Sequence, residues 1–240
     1  MLEQFEAWGV KFNPSPLADI VRQTTEAVDR GRRGIHLTGV NPEQIVKAQN
    51  DPLLRQAINE SDVVNVDGIL AVWGLRRRGC RTVHRVATPD VMTELLRHAD
   101  AKQQKVYLLG AEEYVIVNAV SAIRERFPGL DIVGWHNGFF KDETPIVAEI
   151  ARTEPDYLFI ALPSPQKEKF ILKYKRELNV GVFLGVGGAF DIWGGKCHRA
   201  PAIMQKLCLE WLWRICQNPK QNGIRVLKFY PAFFKLLLQR

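Results

Sequence analysis

Asp67 closes an apolar run, Val63-Val64-Asn65-Val66, and is followed at once by Gly68. A carboxylate at a strand end either caps the next helix or does proton chemistry, and residue type alone favours the cap. A second place for chemistry is "FLGVGGAFDIWGG", with glycines at 185, 187, 188, 194 and 195. Paired glycines after a buried strand let backbone N–H groups approach an anion closely. Repeated as Gly187-Gly188 and Gly194-Gly195, they point to a phosphate or sugar site rather than a simple tight turn. Arg85, in "HRVATPDV", could grip a phosphate through its fork of donors, although a surface arginine is the commoner case. The aromatic stretch "WHNGFF" would serve as a sugar or base platform, or as core at a strand exit.

The missing motifs are equally informative. "YLLGAEE" has Gly110 but not the G-x-G-x-x-G of a dinucleotide fingerprint, and no G-x-x-x-x-G-K-[ST] occurs. No Asp-x-Asp pair is present to bridge a metal and a diphosphate. The diphosphate would then be held by glycine amides, helix N-termini and arginine, and no metal or cofactor is expected. Cys80, Cys197, Cys208 and Cys216 form no C-x-x-C pair and read as free thiols.

Residues positioned in this way need a scaffold, and the pattern supplies one. Short apolar runs end at Val40, Gly68, Gly110, Trp135, Leu162 and Val186, with helical stretches between them. Alternation of this kind predicts an α/β fold: a Rossmann-like open, mostly parallel sheet with helices on both faces and a C-terminal helical basic appendage. Ligands in such sheets sit beyond the C-terminal strand ends, which draws in Gly110, Gly138, the Pro163-Ser164-Pro165 turn and Gly187-Gly188. Three regions follow within one compact domain: 1–100 with Asp67, 101–195 as the Rossmann-like part, and 196–240 as the appendage.

An apolar fraction of 46% with 25% charged residues is that of a globular protein. The net charge of +7 is uneven. From Lys196 onward nine basic residues face a single acid, Glu210, so the tail carries +8 and the remainder −1. Such asymmetry points to a nucleic acid or an anionic membrane surface as partner of the tail, although composition alone favours a solvated basic face. Trp211, Trp213, Phe229, Phe233 and Phe234 lie among the tail's Lys and Arg residues, which suits an anionic membrane surface better than nucleic acid. No apolar run reaches the roughly 18 residues of a spanning helix, and Lys228, Pro231 and Lys235 interrupt the last one. The N-terminal stretch lacks the layout of a signal peptide. The expectation is a cytoplasmic protein, peripheral on the inner face of the plasma membrane.

Seven segments in this order, "VNVDGIL", "RVATPDVM", "VYLLGAEE", "FPGLDIVGWHNGFF", "PDYLFIALPSPQKEKFI", "GVGGAFDIWGGKCHRAP" and "LEWLWRICQNP", resemble the WecG/TagA/CpsF family of bacterial glycosyltransferases. The likeness runs from about Gly34 to Pro219 and makes 101–195 the nucleotide-sugar-binding region. It implies inverting transfer of a hexosamine-type sugar, typically N-acetylmannosamine or its uronic acid, from a UDP-sugar to a polyprenyl-diphosphate-linked sugar. A glucosyl or glucuronosyl transferase for exopolysaccharide and a non-catalytic nucleotide-binding module are the alternatives, and self-association is left open.

The resemblance makes Asp67 the general base, reversing the preference for a cap, with Arg85 beside it in a catalytic role. It places Thr38, Asn41, Gly68, Asp90, Gly110, Gly138, Gln166, Glu168, Gly187, Gly188 and Asp191 on the donor side. Arg199, Trp211, Trp213, Arg214, Arg225 and Lys228 fall on the acceptor or membrane side. Three departures stand out. His84 replaces a Glu common before the motif arginine. Gly39, beside Thr38, stands where many members carry Thr. Pro163-Ser164-Pro165-Gln166-Lys167-Glu168 replaces Gly-x-Pro-Lys-Gln-Glu, reversing Lys and Gln, so the motif itself does not carry a donor contact onto Gln166.

Overall fold

A computed structural model describes residues 2–238. Six parallel strands form the sheet: β3 (Ile35–Val40), β4 (Val63–Val66), β5 (Lys105–Gly110), β6 (Asp131–His136), β7 (Tyr157–Ala161) and β8 (Val182–Gly185), in the order β4-β3-β8-β7-β5-β6. All six are the runs expected from the sequence. An antiparallel hairpin, β1 (Phe5–Ala7) with β2 (Val10–Phe12), and helix α1 (Leu17–Asp29) precede them. Neither the hairpin nor α1 was read from the sequence: three-residue strands leave too short a period to recognise, whereas α1, burying Ile20, Thr24 and Val28 four residues apart, did carry a helical period.

The remaining helices are α2 (Pro42–Asn50), α3 (Pro52–Asn59), α4 (Ile69–Arg77), α5 (Thr88–Ala101), α6 (Glu113–Arg126), α7 (Thr144–Thr153), α8 (Gln166–Tyr174), α9 (Ala189–Trp193), α10 (Ala202–Lys206), α11 (Glu210–Gln217) and α12 (Pro219–Leu238). The strands are mostly apolar, the inner ones most completely, because both sheet faces are covered. Val106 and Leu108 of β5 join a core with Leu95 of α5 and Ile116 of α6. Tyr107 and Leu109, pointing the other way, join one with Ile146 of α7 and Phe170 of α8.

β8, the last strand in sequence, lies between β3 and β7 at the sheet's centre. Thr38 is therefore opposite Gly185, and the turn carrying Gly187 and Gly188 is next to the end of β3.

The appendage is a packed part of the molecule. α12 lies against α2, with Phe233 fully buried beside Trp8 and Leu237 close to Gly74. This corrects one expectation: Phe233 is core and unavailable to a membrane. Pro231 sits inside α12, which is helical throughout. Tail apolar residues that do face solvent are Ile203, Leu207, Trp211, Leu212, Ile224, Leu227, Phe234 and Leu238. Among the described residues no helix is long and apolar enough to cross a membrane.

Candidate active site

The ends of β3 and β4 open into a cleft of about 160 Å³ roofed by α11 and α12. Asn41, Asp67, Gly68 and Arg85 line its floor, while Glu210, Trp211, Arg214, Arg225, Phe229 and Tyr230 come from the appendage. Sequence analysis placed Asn41 and Gly68 on the donor side and Trp211, Arg214 and Arg225 on the acceptor or membrane side, whereas here they share one cavity with Asp67 and Arg85.

Asp67 is a cap, though of α5 and not of the helix that directly follows it. Its Oδ2 accepts hydrogen bonds from the Thr88 backbone N–H (3.3 Å) and hydroxyl (2.9 Å), so it caps α5 from a distance. Thr88 is the first helical residue of α5, and Ala87 at the N-cap supplies no side-chain cap of its own. Both bonds fall on one oxygen, and the carboxylate still lines the cleft. Gly68 holds a backbone φ of +105°, open to glycine and strained for other residues, which turns the chain sharply into α4.

Asn41 is half-buried and caps α2 reciprocally. Its side chain accepts from the Gln44 N–H, and the Gln44 side chain accepts from the Asn41 N–H, each at 3.1 Å. The Gln44 amide donates onward to Glu168 Oε1 at 2.9 Å. Glu168 is fully buried and also takes the Lys167 ammonium on Oε1, while its Oε2 accepts no hydrogen bond. Lys167 lies along Gly185, where a Cβ would come within 2.9 Å of its stem. Thr38 is buried on that same sheet face, its hydroxyl without a partner. Gln166 points to solvent, so the inward position of the segment belongs to Lys167. A helix turns about 100° per residue, and reversing Lys and Gln exchanges which of them faces in.

A charged network links floor and roof. Arg85 Nη1 donates to Glu210 Oε2 at 2.6 Å. Arg199 pairs with the other Glu210 oxygen at 2.8 Å and with both oxygens of Asp90, at 2.9 and 3.0 Å. Burial pushes the Glu210 carboxyl up, but the Arg85 hydrogen bond and the charges of Arg199, Arg85 and Arg214 hold it below its ordinary 4.5. For Arg85, burial alone would ease deprotonation, yet the bond to Glu210 raises its pKa. Arg225 pairs with Glu43 at 2.6 Å, and Lys47 pairs with the same carboxylate at 2.7 Å. Asp90 and Arg199 are thus braces within the fold: neither lines the cleft.

Other candidates lie elsewhere. Gly110 and Gly138 serve packing: a Cβ on Gly110 would come within 2.6 Å of the Ala161 backbone, and one on Gly138 within 3.2 Å of Gly110 and Ala111. Gly187 (φ +53°) and Gly188 form an open turn outside the cleft lining, with no atom within 4 Å of a Gly187 Cβ. Asp191, beneath them, is half-buried, and burial raises its pKa against the pull of Lys196. Trp213 turns from the cleft to donate to the His198 carbonyl (3.0 Å), and Lys228 lies over the Phe229 ring.

Glu43, Lys167 and Glu210 were not selected from the sequence. Glu210 had one signal available, as the single acid in a strongly basic tail.

The family model of the glycosyl transferase WecG/TagA/CpsF family matches residues 5–240. The chain belongs to this family. Relatives include two proteins named N-acetylglucosaminyldiphosphoundecaprenol N-acetyl-beta-D-mannosaminyltransferase, from Bacillus spizizenii and Bacillus subtilis. The first is 34% identical over 85% of this chain and 80% of its own length. The second is 37% identical over 78% and 73%. A Staphylococcus aureus protein of the same name is 28% identical over 94% and 88%. The cleft of this family member is therefore formed jointly by its α/β sheet and its C-terminal helices.

Proposed function

We propose that this glycosyltransferase moves N-acetylmannosamine from a UDP-sugar to N-acetylglucosamine carried on a polyprenyl diphosphate. The sugar and acceptor are those in the relatives' names, and both substrates carry a diphosphate. The observation that carries the reading is a carboxylate, Asp67, in one cleft with three arginines, Arg85, Arg214 and Arg225.

In the reaction, Asp67 takes the proton from the acceptor hydroxyl, whose oxygen attacks the anomeric carbon from the face opposite UDP. The bond from that carbon to the diphosphate breaks with its electron pair on the phosphate oxygen, inverting the configuration. The two Thr88 bonds fix the carboxylate through Oδ2, which leaves Oδ1 as the atom for the proton. The arginines supply positive charge where the leaving diphosphate develops its own, without a metal. The exposed Leu227, Ile224 and Phe234, with Lys228 and Lys235 nearby, form the surface that meets the cytoplasmic leaflet where a polyprenyl acceptor resides.

Asp67→Asn tests this. Asparagine keeps an oxygen for Thr88 but cannot take the proton, so turnover should fall by roughly 10²–10⁴ with UDP binding intact. A panel of UDP-sugars with a short-chain prenyl-diphosphate-GlcNAc acceptor, run in EDTA and analysed by mass spectrometry, identifies the donor. Near-parental turnover in the Asn variant would remove Asp67 from the mechanism.

A further inference from the structure

The Arg85–Glu210 contact joins residues 125 apart in the chain, one on the floor of the cleft and one on its roof. Only Nη1 of Arg85 is engaged. Its other N–H groups have no hydrogen-bond partner among the described residues, and the side chain lines the cleft. Glu210 is itself held from behind by Arg199, whose guanidinium also grips Asp90 in the first turn of α5. The end of α5 that Asp90 anchors is the one Asp67 caps through Thr88. One connected set of hydrogen bonds and ion pairs thus ties the proposed base, the arginine and the start of α11, Arg199 Nε meeting Glu210 as an ion pair without hydrogen-bond geometry. Two cations, Arg85 and Arg199, meet two anions, Asp90 and Glu210, so the network is neutral before any ligand arrives.

We infer that Glu210 is a positioning residue for the transfer reaction: it orients Arg85 toward the substrate diphosphate and balances its charge so that the diphosphate product is released. The inference rests on the proposed transfer from a diphosphate donor. A carboxylate clamped on both oxygens is a fixed brace, and a guanidinium held by one edge keeps its remaining donors aligned for a second anion. An arginine without its partner carries uncompensated charge in a partly desolvated cleft. It would hold a diphosphate more firmly while presenting it less accurately.

The experiment uses the full chain, with inorganic pyrophosphate and UDP as calorimetric probes and transfer kinetics measured in parallel. Glu210→Gln keeps the shape and removes the charge. Pyrophosphate should bind roughly tenfold tighter and kcat should drop about tenfold or more, with no rise in the donor KM. Arg199→Lys keeps the charge and gives up the two-sided grip. It should lower kcat by a similar factor while pyrophosphate affinity stays within about twofold, and it carries the test if the Gln variant does not fold. A merely structural Glu210 would give a lower melting temperature with weaker pyrophosphate binding, and that result overturns the inference. So does parental kcat in Glu210→Gln, or in Arg199→Lys where that variant carries the test. If the parent chain binds neither pyrophosphate nor UDP, the diphosphate-donor reading itself fails and the inference with it.

Discussion

Lys167→Met isolates a buried charge. The Lys167 side chain is 7% exposed and that of Glu168 1%. Methionine retains most of the stem that packs against Gly185, so little cavity is created and the change is mainly electrostatic. Glu168 would keep one neutral donor, Gln44, on Oε1, and Oε2 has none. Removing one partner of a buried ion pair costs about 3–5 kcal/mol, since the remaining charge stays desolvated. With a urea dependence near 2–3 kcal/mol per molar, the midpoint should fall by about 1–2 M. Adding Glu168→Gln should restore most of the loss by removing the stranded charge. Because Gln44 also holds Asn41 at the cleft, the single variant should weaken UDP binding and the double variant recover it. Urea denaturation followed by circular dichroism measures the first effect, calorimetry the second. A loss under about 1 kcal/mol for Lys167→Met, or a double variant no more stable than the single, would refute the reasoning.

Buried His36 predicts a pH dependence. Its pKa is lowered to about 3 by burial first, then by the nearby charges of Lys175 and Lys167, so the folded protein refuses a proton that the unfolded chain takes below 6.5. Stability is therefore full above pH 6.5 and falls on acidification toward 3, by about 2 kcal/mol at pH 5. His36→Gln should flatten that slope in pH-resolved denaturation, and an unchanged slope would assign it to other groups. Gly188→Val should fold, since a Cβ there meets only Asp191 Oδ2 at 3.5 Å. If the donor backbone site includes this turn, thermal shift should show UDP-sugar affinity lost, whereas unchanged affinity would make Gly187 and Gly188 turn residues only. Leu227→Asp, on a side chain 77% exposed, should reduce flotation with anionic liposomes and leave the melting temperature within a degree or two. Equal flotation would place the membrane contact elsewhere. Deleting the tail would not test the same point, because it removes Phe233 from the core.

Much of the fold was legible because local chemistry encodes it. Six apolar runs of strand length, each followed by a helical period, specify a parallel α/β sheet whatever their order in space. Asp67 was legible only as a strand-end carboxylate, for which residue type favours a cap; the family resemblance, not its position, made it the candidate base. Long-range packing decided the rest. Strand order placed Thr38 opposite Gly185, across 147 positions of sequence. Helix phase turned Lys167 inward and Gln166 out, although both are polar and adjacent. The apolar tail residues had two apolar places to go, a membrane or the protein's own core. Burial rewards both alike, so periodicity alone could not tell that Phe233 enters the core beside Trp8 while Leu227 stays outside. Glu210 shows the same limit for charge: composition reveals one acid among nine bases, but only the folded chain, which brings the start of α11 to Arg85 and Arg199, shows which arginines it holds.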